Sequence, residues 1–405
     1  MAQPKEKLAQ SLDVLEKIQD DNGLAVIKSE VLSRTHRERL LKNGFIHEVI
    51  KGWYISTPPE APKGDTIIWY SSYWKFASTY LKSRLADNWC LSPDQSLQLL
   101  AGNKTVPPQL LVHAPKGRNK VTNLINKNSI LDMRTPLPET SDIVTVDGLK
   151  LYSLESGLVA CGPDFFARHP TDARTCLAMV KDSSAILAKL LADGKSVVAG
   201  RLAGAFRNIG NEKIADDIVN TMKSANYDVR EKDPFTEKLT LILNSREISP
   251  YVNRIKIIWT QMRQTVIDNF PTNSVTISNL EDYLKQVEDN YTQDAYHSLS
   301  IEGYRVKPEL IEKVRSGTWN PDENESDKEQ KNAMAARGYF QAFQAVKTSI
   351  KTILEGKNSG EVVDSDHGKW YRELFAPSVT AGILEPADLA GYRSGPAYIP
   401  GALHT

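Results

Sequence analysis

Two groups of residues in this chain have types and spacings that could do chemistry. The first is Ser298 and Glu302, four apart and so neighbours on one face of a helix, with Gly303 directly after them. A glycine there suits a left-handed helix cap. Glu302 then sits in the last turn, at the negative end of the helix dipole, where an acid is disfavoured. Either a partner holds it there or it is a solvated glutamate ahead of a capping glycine. The second group is Arg34, Thr35, His36, Arg37, Arg39 and Lys42, with Lys51 nearby. Between residues 28 and 53 six lysines and arginines face three glutamates. Cations gathered on one short helix could meet phosphate and base edges in a major groove, with Lys51 on a neighbouring turn contacting backbone phosphate. The alternative is a protein-contact surface with solvated arginines.

The first group needs a long helix behind it. Leu280, Leu284, Val287, Tyr291, Ala295 and Leu299 recur at spacings of three and four, which predicts one apolar face. The second group needs a small frame over residues 1–57. Leu8, Leu12, Leu15 and Ile18 are helically spaced, Gly23 breaks the pattern, and Ala25-Val26-Ile27 restarts it. A second short helix is expected over Lys28 to Leu32. Ser33 can cap a third, Arg34 to Asn43, that ends at Gly44. Phe45 to Ile55 reads as two strands turning at Lys51-Gly52. Three helices and a hairpin give the winged helix-turn-helix order.

Pro58 to Gly64 is a linker by composition. Residues 65–230 read as α/β and then helical. Trp69, Tyr73, Phe76 and Tyr80 form a helical aromatic stripe suited to a core. Ser92-Pro93 starts a helix, and Leu110–His113 and Ile143–Val146 are strand-like. Lys116 to Lys120 is a basic turn, read as solvated. Beyond Asp233-Pro234-Phe235, a linker or extended arm, Pro250 opens a helix with Ile255, Ile258, Trp259, Met262 and Val266 on one face. Asp322 to Gln330 is an acidic loop. The expected class is multidomain and mainly α with small β elements.

Composition narrows the function. Lysine plus arginine and aspartate plus glutamate are 50 each among 405 residues, so net charge points to neither nucleic acid nor membrane and any basic surface is local. No apolar run approaches the roughly 18 residues that cross a bilayer. Residues 1–6 are polar, unlike a secretory leader. Cys90, Cys161 and Cys176 lack metal spacing and suit a reducing cytoplasm.

Ser298-x-x-x-Glu302-Gly303 resembles the inhibitory motif (S/T)xxxE(G/N) of Fic-domain proteins. Arg305 to Leu310 is similar to the turn and helix after that motif. Asp366 to Phe375 resembles the helix ahead of the family's G-x-(F/Y)-R element. Ala390 to Gly401 resembles that element and the start of its target-docking flap, although Gly391 and Tyr392 are adjacent where the family has a spacer. The resemblance covers about residues 235–405. It implies an all-α, incomplete Fic fold, because the catalytic HxFx(D/E)GN(G/K)R motif follows none of the seven histidines. At the other end, Leu40, Gly44, Ile46, Val49, Gly52 and Tyr54 fill a pattern similar to that of AbiEi-like abortive-infection antitoxins. Leu91 to Leu99 and the chain to about residue 230 continue that resemblance.

The Fic resemblance implies AMP transfer from ATP to a target hydroxyl, with Mg2+ on the phosphates. Glu302 would be the autoinhibitory acid at the γ-phosphate position, helped by Ser298 and Gly303. Ala397, Tyr398, Ile399, Pro400 and Gly401 would dock a protein target as an added strand; the role of Arg393 is open. No catalytic residue, and no ATP or Mg2+ site, is expected in this chain alone. Three readings follow. The chain is the regulatory and DNA-binding portion of a Fic adenylyltransferase, a non-catalytic DNA-binding regulator or antitoxin-like protein, or an interaction module that binds protein only. Homo-oligomerisation is left open by the sequence.

Overall fold

The computed structural model describes residues 4–19, 25–57, 66–236, 249–270, 279–318 and 330–390. The protein is mainly helical with a few small sheets. It divides into two compact units, whose described residues are those up to Phe270 in the first and those from 279 to 390 in the second.

The first unit begins with α1 (Pro4–Glu16), β1 (Val26–Lys28), α2 (Arg34–Lys42), β2 (Ile46–Ile50) and β3 (Trp53–Ser56). The strands form an antiparallel sheet in the order β1-β3-β2, with Val26 opposite Ile55 and Ile50 opposite Trp53. The expected helix over Lys28 to Leu32 is absent. Lys28 closes a strand, and residues 29–31 form a turn whose Ser29 N–H donates to the Gly52 carbonyl at 2.8 Å. The strand wins because Ile27 is fully buried beside Leu32, Leu40 and Ile46. The predicted caps of α2 are present: the Ser33 hydroxyl accepts from the His36 N–H, and Gly44 takes φ +76°.

The unit continues with α3 (Ile67–Leu85), β4 (Cys90–Leu91), α4 (Pro93–Leu100), β5 (Gln109–Ala114), β6 (Lys120–Asn123), β7 (Ser129–Arg134), β8 (Ile143–Val146) and β9 (Leu149–Tyr152). A four-stranded sheet in the order β4-β5-β7-β6 contains one parallel pair, β5 with β7; β8 and β9 pair by themselves. On α3, Trp69, Tyr73 and Phe76 are buried and Tyr80 stacks on Phe76 at 5.7 Å, so the aromatic stripe is core. Beneath the basic turn, buried Asp132 accepts from Arg84 at 2.5 Å and from the Arg118 N–H at 2.8 Å. The turn is therefore tied to the sheet through its backbone.

Helices α5 (Leu154–Ala160), α6 (Asp164–Arg168), α7 (Pro170–Met179), α8 (Ser184–Ala192), α9 (Ser196–Asn208) and α10 (Glu212–Ser224) make the largest core. Residues 228–235 are not a free linker. Phe235 is buried against Phe166 at 5.6 Å and under the Arg174 guanidinium at 4.4 Å. Their backbone crosses α9 so closely that a Cβ on Gly200 would lie 2.0 Å from the Arg230 carbonyl oxygen. Helix α11 (Pro250–Asn269) packs on this body through Asn253 and Ile257. The three cysteines are free and buried. Burial pushes the Cys90 and Cys161 thiols up to about 12.

The described part of the second unit is helical: α12 (Leu280–Asp289), α13 (Tyr291–Ile301), α14 (Pro308–Arg315), α15 (Gln330–Leu354) and α16 (Ser359–Thr380). The long apolar face holds, but Asn290 interrupts the helix within it. Tyr291, Ala295, Leu299, Val306 and Ile311 pack with Ala335 and Ala336. Asn358 starts α16, its side chain accepting from the Gly360 and Glu361 N–H groups. Residues 319–329, most of the expected acidic loop, lie outside the described residues, as does the Pro58–Gly64 linker; Gln330 already belongs to α15.

Helices α15 and α16 come into close contact at Gly338, where a Cβ would stand 1.8 Å from the Leu374 carbonyl oxygen. In an exposed helix a Gly→Ala change stabilises by about 1 kcal/mol. Here the helices must part, so Gly338→Ala is expected to destabilise the second unit by about 1–3 kcal/mol. Denaturant unfolding checks the sign; a stabilised variant would contradict the close approach.

Candidate nucleic-acid interface and the Glu302 helix end

Helix α2 divides its cations between holding the fold and facing solvent. Its apolar anchor is Leu40, fully buried against α1 and the sheet. Arg39 turns toward α1 and donates from Nη1 to the Lys7 carbonyl at 2.6 Å and to Ser11 Oγ at 2.8 Å. Ser11 is fully buried, and its hydroxyl also meets His36 Nδ1 at 2.9 Å and the Lys7 carbonyl at 3.1 Å. Arg37 turns the other way. It donates to the Ser29 carbonyl at 3.0 Å and lies 6.0 Å from the Tyr54 ring centre. Arg37 and Arg39 are therefore fastened to their own unit.

The outward side is left to Arg34, Thr35, Glu38, Leu41 and Lys42, all exposed. Arg34 Nε donates to Glu38 at 2.6 Å, and that bond lowers the Glu38 carboxyl below its ordinary value. Lys42 and Lys51 make no ion pair among the described residues. Thr35, Glu38, Arg39, Lys42 and Asn43 join Lys7 and Leu8 of α1 around an open cleft of about 570 Å³. Lys51 is set by its turn: Gly52, at φ +82°, donates its N–H to Glu48 at 3.1 Å and gives its carbonyl to Ser29. Through Ser29, Arg37 links the hairpin turn to α2, so the sheet edge and the helix hold Lys51 and Lys42 in fixed relation.

Sequence reasoning grouped Arg34, Thr35, Arg37, Arg39, Lys42 and Lys51 as one set. The structure keeps Arg34, Thr35, Lys42 and Lys51 outward and turns Arg37 and Arg39 inward. It adds Lys7, which the apolar spacing of α1 could not single out because only the packing of α1 on α2 brings it to the cleft.

In the second unit Ser298 lies on α13, and Glu302 is the residue that ends it. The helix is held from the side. The Tyr339 hydroxyl lies 2.6 Å from Asp294 Oδ2 and 3.2 Å from Ser298 Oγ. Burial, then the Asp294 hydrogen bond, push the Tyr339 phenol up to about 12, so it stays a donor at neutral pH. Asp294 is four residues before Ser298, a spacing the sequence shows; Tyr339 comes from α15 and is supplied by tertiary packing. Gly303 takes φ +84°, and the Tyr304 N–H closes the helix on the Leu299 carbonyl at 2.9 Å. Glu302 is exposed, and its carboxylate has no partner among the described residues. The predicted flap, Ala397, Tyr398, Ile399, Pro400 and Gly401, and Arg393 lie outside the described residues. Elsewhere in the first unit, Arg207 is neutralised locally by Glu212, Asp216 and Glu231.

No family model, curated protein or solved structure matches this chain.

The division of α2 gives a direct test. Arg39→Ala removes the two hydrogen bonds that tie α2 to the Lys7 carbonyl and to the buried Ser11 hydroxyl and is expected to cost about 1–3 kcal/mol. Lys42→Ala, on the open side, should stay within about 0.5 kcal/mol. Hydrogen exchange over residues 4–57 reads the difference, and equal protection in the two variants would refute the division.

Proposed function

We propose that this chain is the DNA-binding and regulatory portion of a Fic-type adenylyltransferase. Residues 1–57, with a turn where the second of the three expected helices would stand, act in it as a winged helix, residues 65–230 as an AbiEi-like region, and the C-terminal helices as part of a Fic fold. The observation that carries the DNA reading is the sorting of cations on α2. A helix whose inner arginines lock it to α1 and to the hairpin presents Arg34, Thr35 and Lys42 without further ordering, with Lys51 held nearby. A preorganised surface loses less entropy on binding. Lys42 and Lys51 suit phosphate oxygens, while the planar fork of Arg34 suits a guanine edge. Glu38 competes with the nucleic acid for Arg34.

The Fic part of the reading is supported by Glu302. Tyr339 and Asp294 hold the helix end, while the acid itself faces solvent, free to meet an arginine of a catalytic loop or to repel a γ-phosphate. In a complete family site ATP supplies the AMP and magnesium neutralises its phosphates. The described residues contain no group of three metal-ligating side chains. The catalytic loop that Glu302 would restrain is not among these 405 residues.

Anisotropy of labelled duplex DNA with the intact chain tests the interface. Lys42→Ala and Lys51→Ala should each lower the slope of log K against log salt by about 1. Glu38→Gln frees Arg34 and is expected to tighten binding about two- to fivefold, the scale of a surface ion pair. Unchanged affinity in the Arg34, Lys42 and Lys51 triple alanine variant would sink the DNA reading and leave a protein-contact surface. A second assay separates the enzyme from a non-catalytic regulator. With Mg-ATP this chain should transfer no AMP, and stoichiometric labelling would overturn the placement of the catalytic loop outside it.

A further inference from the structure

Helix α11 is buried on one side only. Asn253 and Ile257 face the body, and Arg254 reaches the buried carboxylate of Asp172. On the opposite side Tyr251, Ile255, Trp259, Met262, Val266 and Phe270 are between 45% and 72% exposed. At 3.6 residues per turn these six fall within an arc of about 100°. Every residue from 261 to 270 is exposed, so the second half of the helix stands clear of the body.

We propose that this stripe is the interface of a two-fold homodimer in which two α11 helices pair antiparallel. Two observations select a second copy of this chain as the occupant. The first is area. Six large apolar side chains about half exposed present roughly 600 Å² of surface, taking ~150–250 Å² for each aromatic. That is at the upper end of the largest apolar patch on an ordinary monomer, and it approaches the ~800 Å² per partner of a standard interface.

The second is self-complementarity. Antiparallel pairing about the midpoint of Thr260 and Gln261 sets Trp259 opposite Met262 of the other copy, Ile255 opposite Val266, and Tyr251 opposite Phe270. Each pair is well matched: a thioether on an indole, two β-branched side chains, and two aromatic rings at each end. An isologous contact requires that one patch complement itself in this way. From Ile255 to Val266 the spacing is four, three, four, which is that of a coiled-coil seam. Lys256 and Arg263 flank one edge of the seam at the solvent-exposed rim, where like charge costs little.

Sedimentation equilibrium of the full chain should give twice the 45.2 kDa chain mass at micromolar concentration. Met262→Glu with Val266→Glu places two acids on the free half of the helix, where they leave the fold's circular dichroism unchanged. They should weaken dimerisation roughly a hundredfold or more. The native cysteines are buried, so introduced thiols report register. Mixed Ile255→Cys and Val266→Cys chains should cross-link to each other and not to themselves. A monomer at tens of micromolar overturns the proposal, as does a dimer unaffected by the two glutamates. Self-linking of the Ile255→Cys chain would overturn the antiparallel register.

Discussion

The buried hydroxyl of Ser11 decides what the candidate DNA surface can be. It touches Arg39, His36 and the Lys7 carbonyl at once and has a single proton to give. Arg39 can only donate to it. If the Ser11 proton goes to the Lys7 carbonyl, His36 must donate from Nδ1; if it goes to His36, that nitrogen must be bare. Either arrangement needs α1 and α2 at one separation and one rotation. With rotation set, Leu40 is inward and Arg39 is committed, and Arg34, Thr35 and Lys42 are what remains outside. The apparent basic helix is thus half fastener and half surface.

The second unit uses the same logic with a different donor. Tyr339 lies against both Asp294 and Ser298, fixing α13 on α15 along the turn that leads to Glu302. Below it, the contact of Gly338 with the Leu374 carbonyl sets the spacing of α15 and α16. Ser349 adds a polar link, donating to Asp366 at 2.6 Å and accepting from the Trp370 indole at 3.2 Å. The helix end that presents the acid is supported by packing and by the Tyr339 hydrogen bonds, while the acid itself is exposed and has no partner among the described residues.

Much of the local architecture was legible because it is local. Ser33, Ser92 and Gly44 mark helix ends through hydrogen bonds and a positive φ that span only a few residues. The hairpin turn at Lys51-Gly52 and the aromatic stripe of α3 have the same origin. What was not legible depends on distant partners. Nothing in the spacing of Arg37 and Arg39 shows that one will meet Ser29 and the other Lys7. The interruption at Asn290 is invisible to an apolar repeat that runs through it. The strand at Val26–Lys28 has the residues for either structure, and pairing with β3 decides it. Phe235 looks like linker by its neighbours and is core by its contacts with Phe166 and Arg174.

Helices α3 and α11 show why periodicity finds a face without finding its destination. Both carry aromatic and aliphatic residues at spacings of three and four. The stripe of α3 is buried, and that of α11 is exposed. The difference is set from the other side of α11. Asp172 is buried, and a buried carboxylate is costly unless bonded; Arg254 and Asn103 both bond it. Meeting that demand turns Arg254 inward together with Asn253 and Ile257, and the apolar side rotates out. An ion pair worth little on an open surface therefore fixes the rotation of a twenty-residue helix. The exposed stripe follows from that choice, and its match to its own reverse gives it an occupant.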